Sequence, residues 1–200
     1  MTRIGIFGGT FDPPHLGHLI LAGEAQEQLK LDHLLWMITA IPPHKNLDAV
    51  STLSQRLSLT RAALADISQF ELSTKEIDRP GPHYAVDTVA LVQEAHPHAE
   101  IFYLMGEDSL RDLPTWHEPQ RLINLCAGLG VMKRPGTETD LTALVDQFPG
   151  LQQKIIWLNT PQVEISSHEI RQRINENRTY RFFLPPAVYD LIHKEKLYIK

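Results

Sequence analysis

Apolar residues recur along the chain in two alternating rhythms. Short, nearly continuous apolar runs give way to longer stretches with apolar positions three and four apart. The first pattern suits strands buried on both faces, the second amphipathic helices. Read this way, 3–7 is a strand, 8–14 a loop and 16–30 a helix with Leu19, Leu21, Ala22, Ala25 and Leu29 on its apolar side. Strands follow at 33–39, 70–73, 101–105, 127–132 and 155–158, with Trp36 and Trp157 reading as core. Helices fall at 54–67, 84–95, 119–124, 141–148, 167–177 and 186–194, and loops rich in Pro and polar residues at 41–52 and 77–83. The alternation predicts a doubly wound α/β fold, a mostly parallel Rossmann-like sheet with helices on both faces. It forms a single domain over 1–200, with a C-terminal helical portion at about 167–200. Ligands of such folds bind beyond the carboxyl ends of the strands, so chemistry is expected in the loops that follow strands.

Composition narrows the class. Of 200 residues, 42% are hydrophobic and 22% charged. These are ordinary globular values, and they exclude disorder, collagen and coiled coil as descriptions of the whole chain. One cysteine, Cys126, allows neither an intrachain disulfide nor a cysteine metal cluster. The net charge of −5 argues against a sequence-independent nucleic-acid binder, which carries a basic excess. No apolar run approaches the ~20 residues of a membrane helix, and Met1–Thr10 does not read as a signal peptide. A soluble, cytoplasmic protein is expected, with no nucleic-acid or membrane partner and with room for a homo-oligomer.

The densest chemistry is Gly8-Gly9-Thr10-Phe11-Asp12-Pro13-Pro14-His15-Leu16-Gly17-His18, between the first strand and the first helix. Adjacent glycines allow a tight turn and close approach to a ligand. The helix start offers unpaired N–H groups and a positive dipole end, which suits a phosphate. His15 and His18 are three apart, so they share one side of the first turn and can donate to phosphate oxygens as charge develops. Two such rings also suit a surface pair or half a metal site, although no HExxH or CxxC completes a zinc set. Late in the chain, Ile165-Ser166-Ser167-His168-Glu169-Ile170-Arg171 places a hydroxyl N-cap one turn before an arginine that can fork onto phosphate oxygens. Read alone, it is the start of any capped helix.

As whole strings, the two segments resemble the signatures of the HxGH nucleotidyltransferase superfamily, with His168 where its second motif has Thr. The resemblance implies a Rossmann-like fold and transfer of a nucleoside monophosphate from a triphosphate. It assigns His15, His18 and Arg171 to catalysis and ATP binding, with Gly8, Gly9, Thr10, Phe11, Ser166 and Ser167 also on ATP.

Between them lie Pro42-Pro43-His44-Lys45, Arg79-Pro80-Gly81-Pro82-His83-Tyr84-Ala85-Val86-Asp87-Thr88, Gly106-Glu107-Asp108 and Leu113-Pro114-Thr115-Trp116. Singly, these suit an exposed turn, a helix start or a core tryptophan. Together they resemble the bacterial nicotinate-nucleotide adenylyltransferase family, over Arg3 to Tyr198. The resemblance places Gly106 and Asp108 near the ATP ribose. It places His44, Lys45, Tyr84, Ala85, Asp87, Thr88 and Trp116 at the acceptor, with Trp116 on the pyridine ring. His83 and Ala85 stand where the family has Ser and Thr, so those side-chain contacts do not carry over. The implied reaction moves AMP from ATP to nicotinate mononucleotide, with Mg²⁺ arriving on the triphosphate and no protein metal ligand singled out. Nicotinamide mononucleotide or phosphopantetheine as acceptor, or a non-enzymatic nucleotide-binding protein, are the alternatives. No acidic residue lies between His83 and Val86 to welcome an amide, so the acid is the expected acceptor.

Overall fold

The computed structural model describes residues 1–40, 50–133, 139–161 and 163–199. Six strands, β1 (Arg3–Gly9), β2 (His33–Ile38), β3 (Phe70–Ser73), β4 (Glu100–Gly106), β5 (Gly128–Met132) and β6 (Ile155–Leu158), pair in the order β3-β2-β1-β4-β5-β6. All the pairings are parallel, with Phe7 opposite Trp36 on one side and Leu104 on the other. Parallel neighbours need crossovers, and helices supply them. The order reverses between β1 and β4, so the crevice at their carboxyl ends is where this topology admits a ligand.

Side chains alternate across the sheet, and each face has its own core. Ile4, Ile6, Ile101, Tyr103, Leu129 and Val131 pack against α3 (Ala85–Ala95) and α5 (Pro119–Leu125) through Val89, Val92, Leu122 and Ile123. Phe7, Trp36, Phe102 and Leu104 pack against α1 (Leu16–Gln28) through Leu21, Ala22 and Ala25. Helix α1 lies close because β5 carries Gly130, where a Cβ would stand 2.7 Å from Leu104 and 3.1 Å from Leu29.

A third core joins α2 (Leu53–Leu64) to α8 (Ser167–Asn175) and α9 (Pro186–Glu195), through Leu59, Ala63, Ile170, Ile174, Val188 and Ile192. Helix α2 begins on a Thr52–Gln55 capping box. The sheet continues β1 through Gly9, where the hydrophobic pattern predicts a loop from residue 8. Three short helices, α4 (Glu107–Arg111), α6 (Leu141–Gln147) and α7 (Leu151–Lys154), complete the α-helices among the described residues, and α4 occupies a stretch to which the hydrophobic pattern assigns no element. Trp157 is only half-buried, with the Lys133 ammonium 5.2 Å from its ring centre, whereas Trp36 is fully buried as expected. Among the described residues, no helix is long and apolar enough to cross a membrane.

One buried cation ties the strand ends together. Arg56 on α2 is 2% exposed. It donates to the carbonyls of Ser51, Thr10, Thr39 and Ala40 at 3.1, 3.3, 2.8 and 2.9 Å. Burial lowers its pKa and the nearby Asp12 charge offsets part of that. Replacing Arg56 with Met strands these carbonyls away from water. Removing one partner from a buried charged network typically costs about 3 kcal/mol or more. Arg56→Met is therefore expected to lose stability on that scale in urea unfolding; a loss under ~1 kcal/mol would show that the guanidinium is dispensable.

Candidate active site

The loop after β1 is built around two close approaches. Phe11 adopts a left-handed φ of +49°, which turns its ring into the core against Phe7 and Trp36. A Cβ at Gly9 would stand 2.8 Å from that ring, so only glycine fits beneath it. The Phe11 side chain thus packs in the core, although the residue also lines a small cavity beside Asp12.

His15 caps α1, and its N–H donates to Nδ1 of His18 at 3.2 Å. With Nδ1 accepting, a neutral His18 carries its proton on Nε2. The two imidazoles stack with centroids 3.6 Å apart. Gly17 makes this possible, because a Cβ there would stand 3.1 Å from Nδ1 of His15. The first turn of α1 contains no acidic residue to oppose an anion.

These rings line a cleft of about 1280 Å³ that spans the switch point. One half is bounded by Gly8, Gly9, His15, His18, Ile165 and Ser166; Thr10, Gly106, Met132 and Lys133 also reach the cleft. Ser166 caps α8 by accepting the Glu169 N–H at 3.1 Å. Ser167 and Arg171 line an adjoining cavity of about 100 Å³ that shares Thr10 and His18 with the cleft. The Ser167 hydroxyl donates to the Pro13 carbonyl at 2.8 Å and Arg171 Nη1 to the Asp12 carbonyl at 2.6 Å. Both side chains therefore grip the β1–α1 loop. Asp108 sits in the first turn of α4 and does not line the cleft.

The other half is walled by Tyr84, Ala85, Trp116 and His117, with Glu76 and His83 deeper. Tyr84, the N-cap of α3, stacks on His117 at 4.1 Å, and Trp116 meets Tyr103 edge-on at 5.9 Å. Asp87 and Thr88 hold this wall rather than face the cleft. Arg79 lies 3.7 Å from the Asp87 carboxylate and donates to the Pro82 carbonyl at 2.9 Å, while the buried Thr88 hydroxyl donates to Glu76 Oε2 at 2.9 Å. His44 and Lys45 lie outside the described residues.

The segment 83–86 carries no acid, yet the fold delivers one. Glu76, 4% exposed, reaches the cleft from the loop after the edge strand β3. No local sequence signal marks it. His117 was more legible, since it directly follows Trp116 in the same loop. Burial pushes the Glu76 carboxyl up, and the Thr88 hydroxyl and the charges of His83 and Arg79 offset this only in part. Burial also pushes the Tyr103 hydroxyl up, so it stays a neutral donor. Among the described residues, no group of three or more His, Cys, Asp or Glu could hold a metal ion.

A family model described as cytidylyltransferase-like matches residues 6–173. A probable nicotinate-nucleotide adenylyltransferase of Thermomicrobium roseum is 42% identical over 99% of this chain and 92% of its own. One of Thermus thermophilus is 42% identical over 98% of this chain and 99% of its own. Among solved structures, the nicotinic acid mononucleotide adenylyltransferase of Plasmodium falciparum complexed with APC superposes with a TM-score of 0.80 at 20% identity, covering 99% of this chain and 98% of its own. The same enzyme complexed with NaAD gives 0.79. At that identity the superposition shows the shared fold.

The raised Glu76 pKa sets a direction for stability. Its contribution is fully present below the unfolded carboxyl range, near pH 4, and is lost as pH rises through the folded pKa. Glu76→Gln removes the buried charge and keeps an acceptor for Thr88. It is expected to melt above the parent protein at pH 8, with the gap closing toward pH 4. A gap that widens on acidification would reverse the assignment.

Proposed function

The chain belongs to the nicotinate-nucleotide adenylyltransferase family of cytidylyltransferase-like proteins, and from that membership and its cleft we propose that it transfers AMP from Mg²⁺-bound ATP to nicotinate mononucleotide. A phosphate oxygen of the mononucleotide attacks the α-phosphorus of ATP. The bond from that phosphorus to the bridging oxygen breaks, and pyrophosphate leaves with the electron pair. No protein nucleophile takes part. The protein supplies position and charge stabilisation. The observation that carries the reading is the stacked His15–His18 pair at the start of α1, within the cleft at the β1/β4 reversal. There the Nε2–H of His18, the His15 ring and the N–H groups of α1 meet charge developing on the α-phosphate and pyrophosphate. Arg171 and Thr10, on the shared cavity, serve the triphosphate tail. Mg²⁺ comes with the triphosphate and keeps most of its waters.

The acceptor occupies the half between Trp116 and the start of α3. The first N–H groups of α3 are donors, which match a carboxylate and leave an amide facing like groups. Glu76 does not reverse this preference. One of its oxygens is taken by Thr88, and its burial favours the uncharged form, which does not repel the acid.

Pyrophosphate release with ATP and a panel of nicotinate mononucleotide, nicotinamide mononucleotide and phosphopantetheine tests the reading. The expected kcat/KM for the acid exceeds that for the amide by at least ~10²-fold. Comparable values would make the enzyme dual-specific, and no release with any acceptor would leave a nucleotide-binding protein. His15→Ala and His18→Ala are each expected to lower kcat by about 10²-fold or more with the fold intact, the usual loss for one preorganised donor. Normal turnover in either variant would remove that ring from the chemistry.

A further inference from the structure

Asp12 lies in the β1–α1 loop directly after the Phe11 turn, and it is 2% exposed. A buried carboxylate must be paired or hydrogen-bonded on every side. Its Oδ2 accepts the Ser51 N–H at 3.1 Å, and its Oδ1 accepts the Tyr198 hydroxyl at 2.7 Å. The backbone carbonyl of Asp12 accepts Arg171 Nη1 at 2.6 Å, and that nitrogen stands 3.8 Å from Oδ2. Arg171 is therefore held beside the carboxylate rather than on it. Its hydrogen bond to the carbonyl uses one nitrogen, and the guanidinium also lines the small cavity with Thr10 and His18.

Tyr198 reaches this point from beyond α9. Leu197 is buried in the core beneath α2, and Tyr198 takes a left-handed φ of +64°. Such a backbone conformation is uncommon outside glycine and is held only where its surroundings demand it. Burial and the Asp12 charge both push the hydroxyl pKa up, so the phenol remains a donor.

We propose that Tyr198 is a positioning residue for the triphosphate half of the cleft, acting through Asp12 to keep Arg171 available to phosphate. The hydroxyl satisfies the carboxylate on the side away from Arg171. Without it, Oδ1 loses the Tyr198 donor, and the Arg171 guanidinium already stands 3.8 Å from the other carboxylate oxygen. Arg56 is anchored elsewhere, with four of its five N–H groups on carbonyls. Arg171 then closes onto the carboxylate and leaves the cavity. The proposal rests on the adenylyl-transfer reading for the role of Arg171, but its test needs only ATP.

The experiment is calorimetric binding of Mg·ATP to the full chain without acceptor, alongside thermal melting. Tyr198→Phe is expected to weaken Mg·ATP binding about tenfold. The same change in an Arg171→Ala background is expected to weaken it no further, because coupled residues are non-additive. Tyr198→Phe combined with Asp12→Asn is expected to recover affinity, since the charge that captures Arg171 is gone. An unchanged affinity in Tyr198→Phe, a full tenfold loss that persists without Arg171, or a loss that the Asp12→Asn partner fails to relieve would each overturn the proposal. If Mg·ATP binds as expected but nicotinate mononucleotide is not adenylylated, the acceptor reading fails and the Tyr198 coupling stands.

Discussion

The cleft depends on a buried guanidinium that no strand pairing could replace. In a parallel sheet, neighbouring strands leave at the same edge and their chains diverge into separate crossovers. Beyond Gly9 and Ile38, the loops after β1 and β2 would share little. Arg56 spans that gap from α2 by binding carbonyls on both loops and at its own helix start. Asp12 provides a negative charge nearby and is itself gripped by Ser51 and Tyr198. A buried charge network stabilises only when every member is satisfied. The loop that carries His15 is thus fixed from behind, and its open side is left to the ligand.

Much of this was readable from the sequence because the physics is local. The continuous apolar runs of β1, β2 and β4 and the i, i+3, i+4 pattern of α1 follow from burial alone. The Gly-Gly turn and the paired histidines follow from what a phosphate needs at a helix start. Structural superposition agrees with the fold these patterns implied, and family membership with the reaction class that the resemblance implied. What stayed hidden depends on where crossovers return. Glu76 follows a short edge strand just before the Arg79–Thr88 run, but no periodicity or spacing says that its side chain turns into the cleft. Phe11 sits inside the motif yet faces the core, because its φ reverses the ring. Ser167 and Arg171 look like ligands from a capped helix start, and the structure first commits them to the loop they brace. Helix α4 was invisible because five residues hold too little periodicity to register.

The site also divides its labour between backbone and side chain. The half proposed for the triphosphate is lined by glycines, imidazoles and a helix start, with Lys133 and Arg171 as its side-chain cations. The acceptor half is an aromatic wall held by a polar frame of Arg79, Asp87, Thr88 and Glu76.

All of this lies at the carboxyl edge of the sheet, and the amino edge bears none of it. There His96, Pro97 and His98 are exposed at the turn that leads into β4, a full strand length from the cleft. An attachment made at that turn would present the catalytic mouth outward to solution. The same polarity that gathers the chemistry on one rim leaves the opposite rim as a natural handle for coupling the protein to a surface or to another enzyme.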